Sequence, residues 1–142
     1  MAAPDRRLNI AWWALRIGLA IEQLVAGSDK FFNKLADWGM YLSPLATHMI
    51  PVEPSHFMRA IGIVEILLGT CLLTRWTKFA SYAVMLWLIG IAINLVTTGM
   101  FYDLALRDCE VAIAAFALAQ LSTFRERSSA LERRAQTQGE TR

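Results

Sequence analysis

Four stretches of this chain, residues 8–27, 57–74, 78–98 and 105–124, are predominantly apolar over roughly 18 to 21 residues each, the length an α-helix needs to cross the hydrocarbon layer. In lipid every backbone N–H and C=O must be bonded within the protein, so isolated segments of this length fold as helices. The sequence therefore predicts an all-α membrane protein, a four-transmembrane-helix bundle in one domain. An inner turn at Arg75, Trp76 and Thr77 and a short outer turn at 101–104 leave no part able to fold alone. Of the 142 residues 56% are hydrophobic, with mean hydropathy +0.39, and they come in blocks rather than at the spacing of a soluble core. Ala26-Gly27-Ser28 has the small residues of a cleavage site, but a first block carrying Arg16 and Glu22 is long and charged for a signal peptide. That block is expected to be retained.

Lys and Arg set the expected orientation. With the N-terminus in the cytoplasm, Arg6, Arg7, Arg75, Lys78, Arg125, Arg127, Arg133, Arg134 and Arg142 lie inside, against Lys30, Lys34 and Arg107 outside. That asymmetry predicts a multi-pass protein of a bacterial cytoplasmic (inner) membrane with both termini cytoplasmic. Trp12, Trp13, Trp76 and Phe124 at the inner ends, and Phe31, Phe32, Phe101 and Tyr102 at the outer ends, fit aromatic belts. The tail 125–142 mixes Arg with Glu and reads as a solvated, partly helical cytoplasmic extension suited to an anionic leaflet. No basic face with interleaved aromatics exists, so nucleic acid is not an expected partner.

Residues 28–55 form a connection too long to be a simple turn. Phe31, Leu35, Trp38, Leu42, Leu45 and Met49 recur at steps of four and three, which predicts an amphipathic helix lying at the outer interface, N-capped by Ser28 and kinked or split at Pro44. It serves either as an interfacial anchor or as a lid over a pocket.

The charges inside the spans are the candidate functional residues, because an ionised side chain in lipid is costly and must be paired, protonated or beside water. Arg16 and Glu22 in the first block share a spacing with Arg59 and Glu65 in the second. Helical rise puts Arg16 roughly 17 Å and Glu22 roughly 8 Å below the outer surface, with Arg59 at roughly 3 Å and Glu65 at roughly 12 Å. Antiparallel neighbours with this pattern are expected to pair crosswise, Arg16 with Glu65 and Glu22 with Arg59. Gly18 and Gly62, near the segment centres, would let the backbones approach. Gln23, Asn94, Arg107, Asp108 and Glu110 reach the same zone. Arg59, Arg107, Asp108 and Glu110 also fit as terminal residues snorkelling to the interface.

Thiol chemistry has little to stand on. There is no Cys-x-x-Cys, and Cys71 and Cys109 are expected roughly 15 Å apart in depth, as ordinary buried thiols. His48 and His56 both fall in the outer loop with Pro51 and Pro54 between them, so no histidines face each other across the bundle to hold haem, and no metal site is expected.

The stretch Leu15-Arg16-Ile17-Gly18-Leu19, then Ala26-Gly27-Ser28-Asp29-Lys30-Phe31, then Gly62-Ile63-Val64-Glu65-Ile66-Leu67-Leu68-Gly69 and Leu73-Thr74-Arg75, resembles the DoxX family of small bacterial four-helix membrane proteins. The resemblance covers roughly residues 10–124, and the family pattern falls on Arg16, Gly27, Lys30, Glu65 and Gly69. It implies a membrane subunit of a quinone-linked respiratory or sulfur- or stress-related redox complex.

Three functions follow as expectations. In the first, an outer-half polar pocket with Arg16, Glu22, Arg59, Glu65, Asn94, Arg107 and Asp108 as candidates contacts a quinone headgroup, no cofactor is covalently bound, and partner subunits carry the electrons. In the second, the charges only fix helix register in an assembly or anchoring protein, alone or as a homo-oligomer. In the third, the cluster is the site of a small-solute or proton transporter, for which four spans are few.

Overall fold

The computed structural model describes residues 6–49 and 53–140; Pro51 and Arg142 lie outside the described residues, as does the side chain of Met49. The described elements are α1 (Arg6–Asp29), one 3-10 turn (Trp38–Tyr41), α2 (Pro44–Met49), α3 (Pro54–Leu72), α4 (Thr77–Thr97) and α5 (Tyr102–Glu140), with no strand among the described residues. Three of them, α1, α3 and α4, are long and apolar enough to cross a membrane. In α5, Arg107, Asp108 and Glu110 near one end and the charges from Arg125 onward leave a shorter uncharged stretch between.

Each turn is stitched by local hydrogen bonds. Between α3 and α4, Thr77 Oγ1 donates to the Leu72 and Thr74 carbonyls at 2.9 and 2.8 Å, which occupies acceptors that the end of α3 leaves free. Between α4 and α5 the chain reverses at Gly99, whose φ of +73° is open to glycine at little cost. The end carrying the 30–53 connection is called the outer end here, and the α3–α4 turn marks the inner end.

The helices bury small and polar residues and turn large apolar ones outward. On α3 the buried positions are Met58, Gly62, Glu65, Gly69 and Leu72, at steps of four and three. On α5 they include Ala105, Asp108, Ala112, Ala115 and Ser122. Meanwhile Leu67, Leu86 and Ile93 are 58 to 64% exposed. Water would penalise that arrangement; helices solvated by lipid prefer it, because close backbone approach then drives packing. α1 packs chiefly on α3 and α4 on α5, with lighter α1–α5 and α3–α4 contacts.

Small residues set the α1–α3 register. A Cβ on Gly27 would lie 2.7 Å from the Gly62 carbonyl oxygen, and one on Gly62 would lie 2.6 Å from that of Gly27. One heptad along, a Cβ on Gly69 would meet the Ala20 carbonyl oxygen at 3.1 Å. Gly18, by contrast, has nothing within 4 Å and takes no part. This register brings Arg16 opposite Leu72 and Thr74 rather than Glu65, a shift of about eight residues or roughly 12 Å from the crosswise arrangement. The expected Arg16–Glu65 and Glu22–Arg59 pairs are absent from the ion pairs of the described residues.

The outer connection also departs from expectation. α1 runs through Ser28, so Ser28 is helical and caps nothing. Instead of one amphipathic helix there is a turn, a 3-10 turn capped by Asp37, and the short α2. Asn33 adopts φ +49°, a left-handed conformation asparagine tolerates, and diverts the chain there. Pro44 opens α2, where its missing N–H costs no helical bond, instead of kinking a longer helix. The charged tail is helical to Glu140 as a direct continuation of α5. Cys71 and Cys109 are free as expected but exposed, not buried.

Candidate functional site

Asp29, the last residue of α1, organises the outer end. Its carboxylate accepts from the backbone N–H groups of Lys34 and Leu35, both at 3.0 Å, and from Trp38 Nε1 at 2.8 Å. Those three bonds fold the chain back so that the Trp38 ring covers the Lys30 ammonium, 3.7 Å from its centroid. A lysine at a helix end normally snorkels toward water. Lys30 cannot take that course beneath Trp38, and the missing side chain of Gly62 opens the way inward, since a Cβ there would lie 3.1 Å from Lys30 Cβ.

Lys30 Nζ therefore donates to Glu65 Oε2 at 2.6 Å, with the two side chains 5% and 4% exposed. Glu65 stands seven residues from the inner end of α3, about 10 Å by helical rise. Around it the polar groups are incompletely matched. Gln23 is 2% exposed, and its Oε1 accepts no hydrogen bond from the protein. Trp87 Nε1 is buried and close enough to Glu65 to act on it, yet completes no hydrogen bond. Glu22 and the buried Asp108 lie within electrostatic reach of Glu65, and Arg107 Nη2 is 3.6 Å from Asp108 Oδ1 while its own side chain stays 62% exposed.

Above the ion pair is a pocket of about 340 Å³ lined by Lys30, Phe31, Asn33, Asp37, Met58 and Arg59, among others. Lys30 belongs to both the pocket wall and the ion pair. A ligand entering there would sit beside apolar Phe31 and Met58 and the exposed Arg59, with the Lys30 ammonium enclosed between Trp38 and Glu65, a combination suited to a carbonyl acceptor on a largely apolar ring.

The sequence-predicted residues thus separate. Glu22, Glu65, Arg107 and Asp108 share one polar zone. Arg59 lines the pocket above it and is exposed, without an ion pair among the described residues. Asn94 holds the loop instead: its Nδ2 donates to the Tyr41 carbonyl at 2.8 Å and its Oδ1 accepts from Ser43 N–H at 3.3 Å. Arg16 is at the other end of the molecule, its Nε and Nη2 each 2.8 Å from the Leu72 and Thr74 carbonyls. His48 is exposed, and His56 lies 3.7 Å from Glu53 with both side chains open to the surface. No group of His, Cys, Asp and Glu among the described residues is arranged to hold a metal ion.

Lys30, Asp29 and Trp38 carry the geometry without having been singled out as a site from residue chemistry. Lys30 entered only as a loop cation and as one position of the DoxX-like pattern. Comparison of the chain with family models, curated proteins and solved structures finds no match.

Proposed function

We propose that this chain is an integral membrane subunit of a quinone-linked redox complex, with the outer pocket as the contact point for a quinone headgroup. The observation that carries the reading is the buried Lys30–Glu65 pair, whose lysine belongs to the pocket wall, together with a buried Gln23 whose side-chain oxygen the protein leaves unmatched deeper in the helix bundle. Such groups are costly in lipid unless something polar reaches them, and a quinone carbonyl is a suitable acceptor for the Lys30 ammonium or for the exposed Arg59 guanidinium on the same pocket wall. The DoxX-like pattern, which includes Lys30, Glu65, Gly27 and Gly69, supports the same reading. A flavin, haem or metal on a partner subunit would move the electrons.

This reading takes α5 as the fourth span. Leu106, Ile113 and Phe116 are 64, 68 and 44% exposed on it, opposite its buried alanines, so its outward face matches those of α1, α3 and α4. It also takes the inner end as cytoplasmic in a bacterial inner membrane, because Arg75, Lys78, Arg125, Arg127, Arg133 and Arg134 gather there.

A specific observation favours a second reading. The pair sits directly beside the Gly27–Gly62 contact, so it also suits a register pin in an assembly or anchoring protein. Purification in mild detergent, followed by extraction of bound quinone and native mass spectrometry, separates the two. Bound quinone that is lost in Ser55→Trp, an exposed position on the pocket rim, supports the first. Absence of quinone and of redox subunits from the wild-type preparation refutes it and leaves the anchoring role.

A further inference from the structure

At the inner end, remote from Lys30 and Glu65, a cleft of about 700 Å³ opens between α1, the α3–α4 turn and the helical extension of α5. Its lining contains Arg16, Arg75, Lys78, Arg125 and Arg133 against one carboxylate, Glu126. That carboxylate is engaged by Lys78 at 2.7 Å. The remaining four guanidinium groups have no ion pair among the described residues.

Two of the four are held close together despite their like charge. Arg16 and Arg125 both stack on the Trp12 ring, 4.8 and 4.1 Å from its centroid, near enough to repel each other. Trp12 is itself fixed by donating from Nε1 to Ser122 Oγ at 2.8 Å, and Ser122 donates in turn to the Leu118 carbonyl. Arg16 is further anchored on the Leu72 and Thr74 carbonyls, and Arg125 on Asn9 Oδ1. Arg125, Ser129 and Arg133 line the cleft at successive steps of four along α5. Neutral acceptors thus orient these guanidiniums without cancelling their charge, and the forked donors are pre-positioned for an anion with several oxygens.

We propose that this inner cleft binds a phosphate group. A multiply charged oxyanion matches several convergent guanidiniums better than a single carboxylate does, and the site lies at the level where α3 ends and α4 begins. Two sources present that chemistry there: the headgroup of an anionic phospholipid, drawn by basic residues at a membrane surface, and a soluble phosphate.

The test is native mass spectrometry of the full chain in detergent with three separate probes: phosphatidylglycerol, phosphatidylcholine and inorganic phosphate. A preference for phosphatidylglycerol over phosphatidylcholine that falls roughly tenfold in Arg125→Gln, and is only partly recovered in Arg125→Lys because the ammonium lacks the stacked fork, assigns the site to a lipid. Binding of inorganic phosphate with the same Arg125→Gln sensitivity and no lipid preference assigns it to a soluble source. Arg133→Gln, at an exposed position outside the Trp12 cluster, is expected to weaken whichever probe binds and guards against loss of fold. Equal retention of the two lipids with no phosphate binding overturns the proposal, as does wild-type affinity in the Arg125→Gln, Arg133→Gln double variant.

Discussion

Removing one partner of the Lys30–Glu65 pair should cost far more than removing both. At 2.6 Å and an effective dielectric of about 20, the attraction is about 6 kcal/mol, while taking each ion out of water costs several kcal/mol, so the pair as a whole is close to neutral. With side chains 5% and 4% exposed, neither partner has solvent to fall back on. Glu65→Gln strands the ammonium beneath Trp38 and should destabilise by about 3 to 5 kcal/mol, two to four decades in the unfolding constant. Lys30→Met strands the carboxylate beside Glu22 and Asp108 and should fall in the same range. The double variant Lys30→Met, Glu65→Leu keeps the volume, removes both desolvation costs and should recover to within about 1 kcal/mol of wild type or exceed it. SDS-driven unfolding of the detergent-purified protein, read by fluorescence of its five tryptophans, gives the full double-mutant cycle. Single variants within about 1 kcal/mol of wild type, or a double variant as unstable as the sum of the singles, would refute the claim that this is a desolvated, coupled pair.

Gly27→Ala and Gly62→Ala should each force α1 and α3 apart and lower stability by about 2 kcal/mol or more, since the added methyl meets backbone at 2.7 and 2.6 Å; Gly18→Ala in open space should be neutral or slightly stabilising by the same unfolding assay. Asp29→Ala should release the 30–41 segment, with local opening easier by about 3 kcal/mol or more from three lost bonds to one carboxylate; faster proteolysis between Asn33 and Met40 is the readout, and wild-type protection would count against the Asp29 hub. Asn94→Ala should free the Tyr41–Ser43 stretch at a cost of about 1 to 2 kcal/mol, seen as faster hydrogen exchange at Ser43 with no change at Leu35.

The helices α1, α3 and α4 were legible because length and apolarity alone mark a helix able to cross a membrane, and the blocks 8–27, 57–74 and 78–98 overlap all three. Their register was not, because aligning helices by their ends assumes they begin flush, and these do not: α1 extends past the α3–α4 turn, leaving Trp12 against Ser122 and Arg125. The repeated Arg-x5-Glu spacing invited a register set by charge. Close packing set it instead, through Ala20 and Gly27 against Gly62 and Gly69, two small-residue pairs each seven apart. That signal was present in the sequence, but Gly18 competed with it on equal terms, and only three-dimensional contact separates a glycine that packs from one that faces outward.

Lys30 was hidden for a different reason. A lysine one residue past a helix end reads as solvated, and its turn inward depends on Asp29 binding the chain five to nine residues later, an arrangement that residue periodicity does not encode. The consequence is a redistribution of charge along the molecule. Arg16, which depth counting made the most deeply buried cation, lies at the inner boundary among the C-terminal carbonyls of α3, and Lys30, counted as outside, supplies the interior cation. Two electrostatic centres result where one was expected: an outer pair that is nearly neutral and enclosed, and an inner cleft with excess positive charge. An enclosed neutral pair responds little to salt, whereas an open cationic cleft is screened within about 8 Å at physiological ionic strength. Raising salt should therefore weaken anion capture at the Trp12–Arg125 end while leaving the Lys30–Glu65 contribution to unfolding unchanged, a separation that a single charged pocket spanning both sets of residues would not produce.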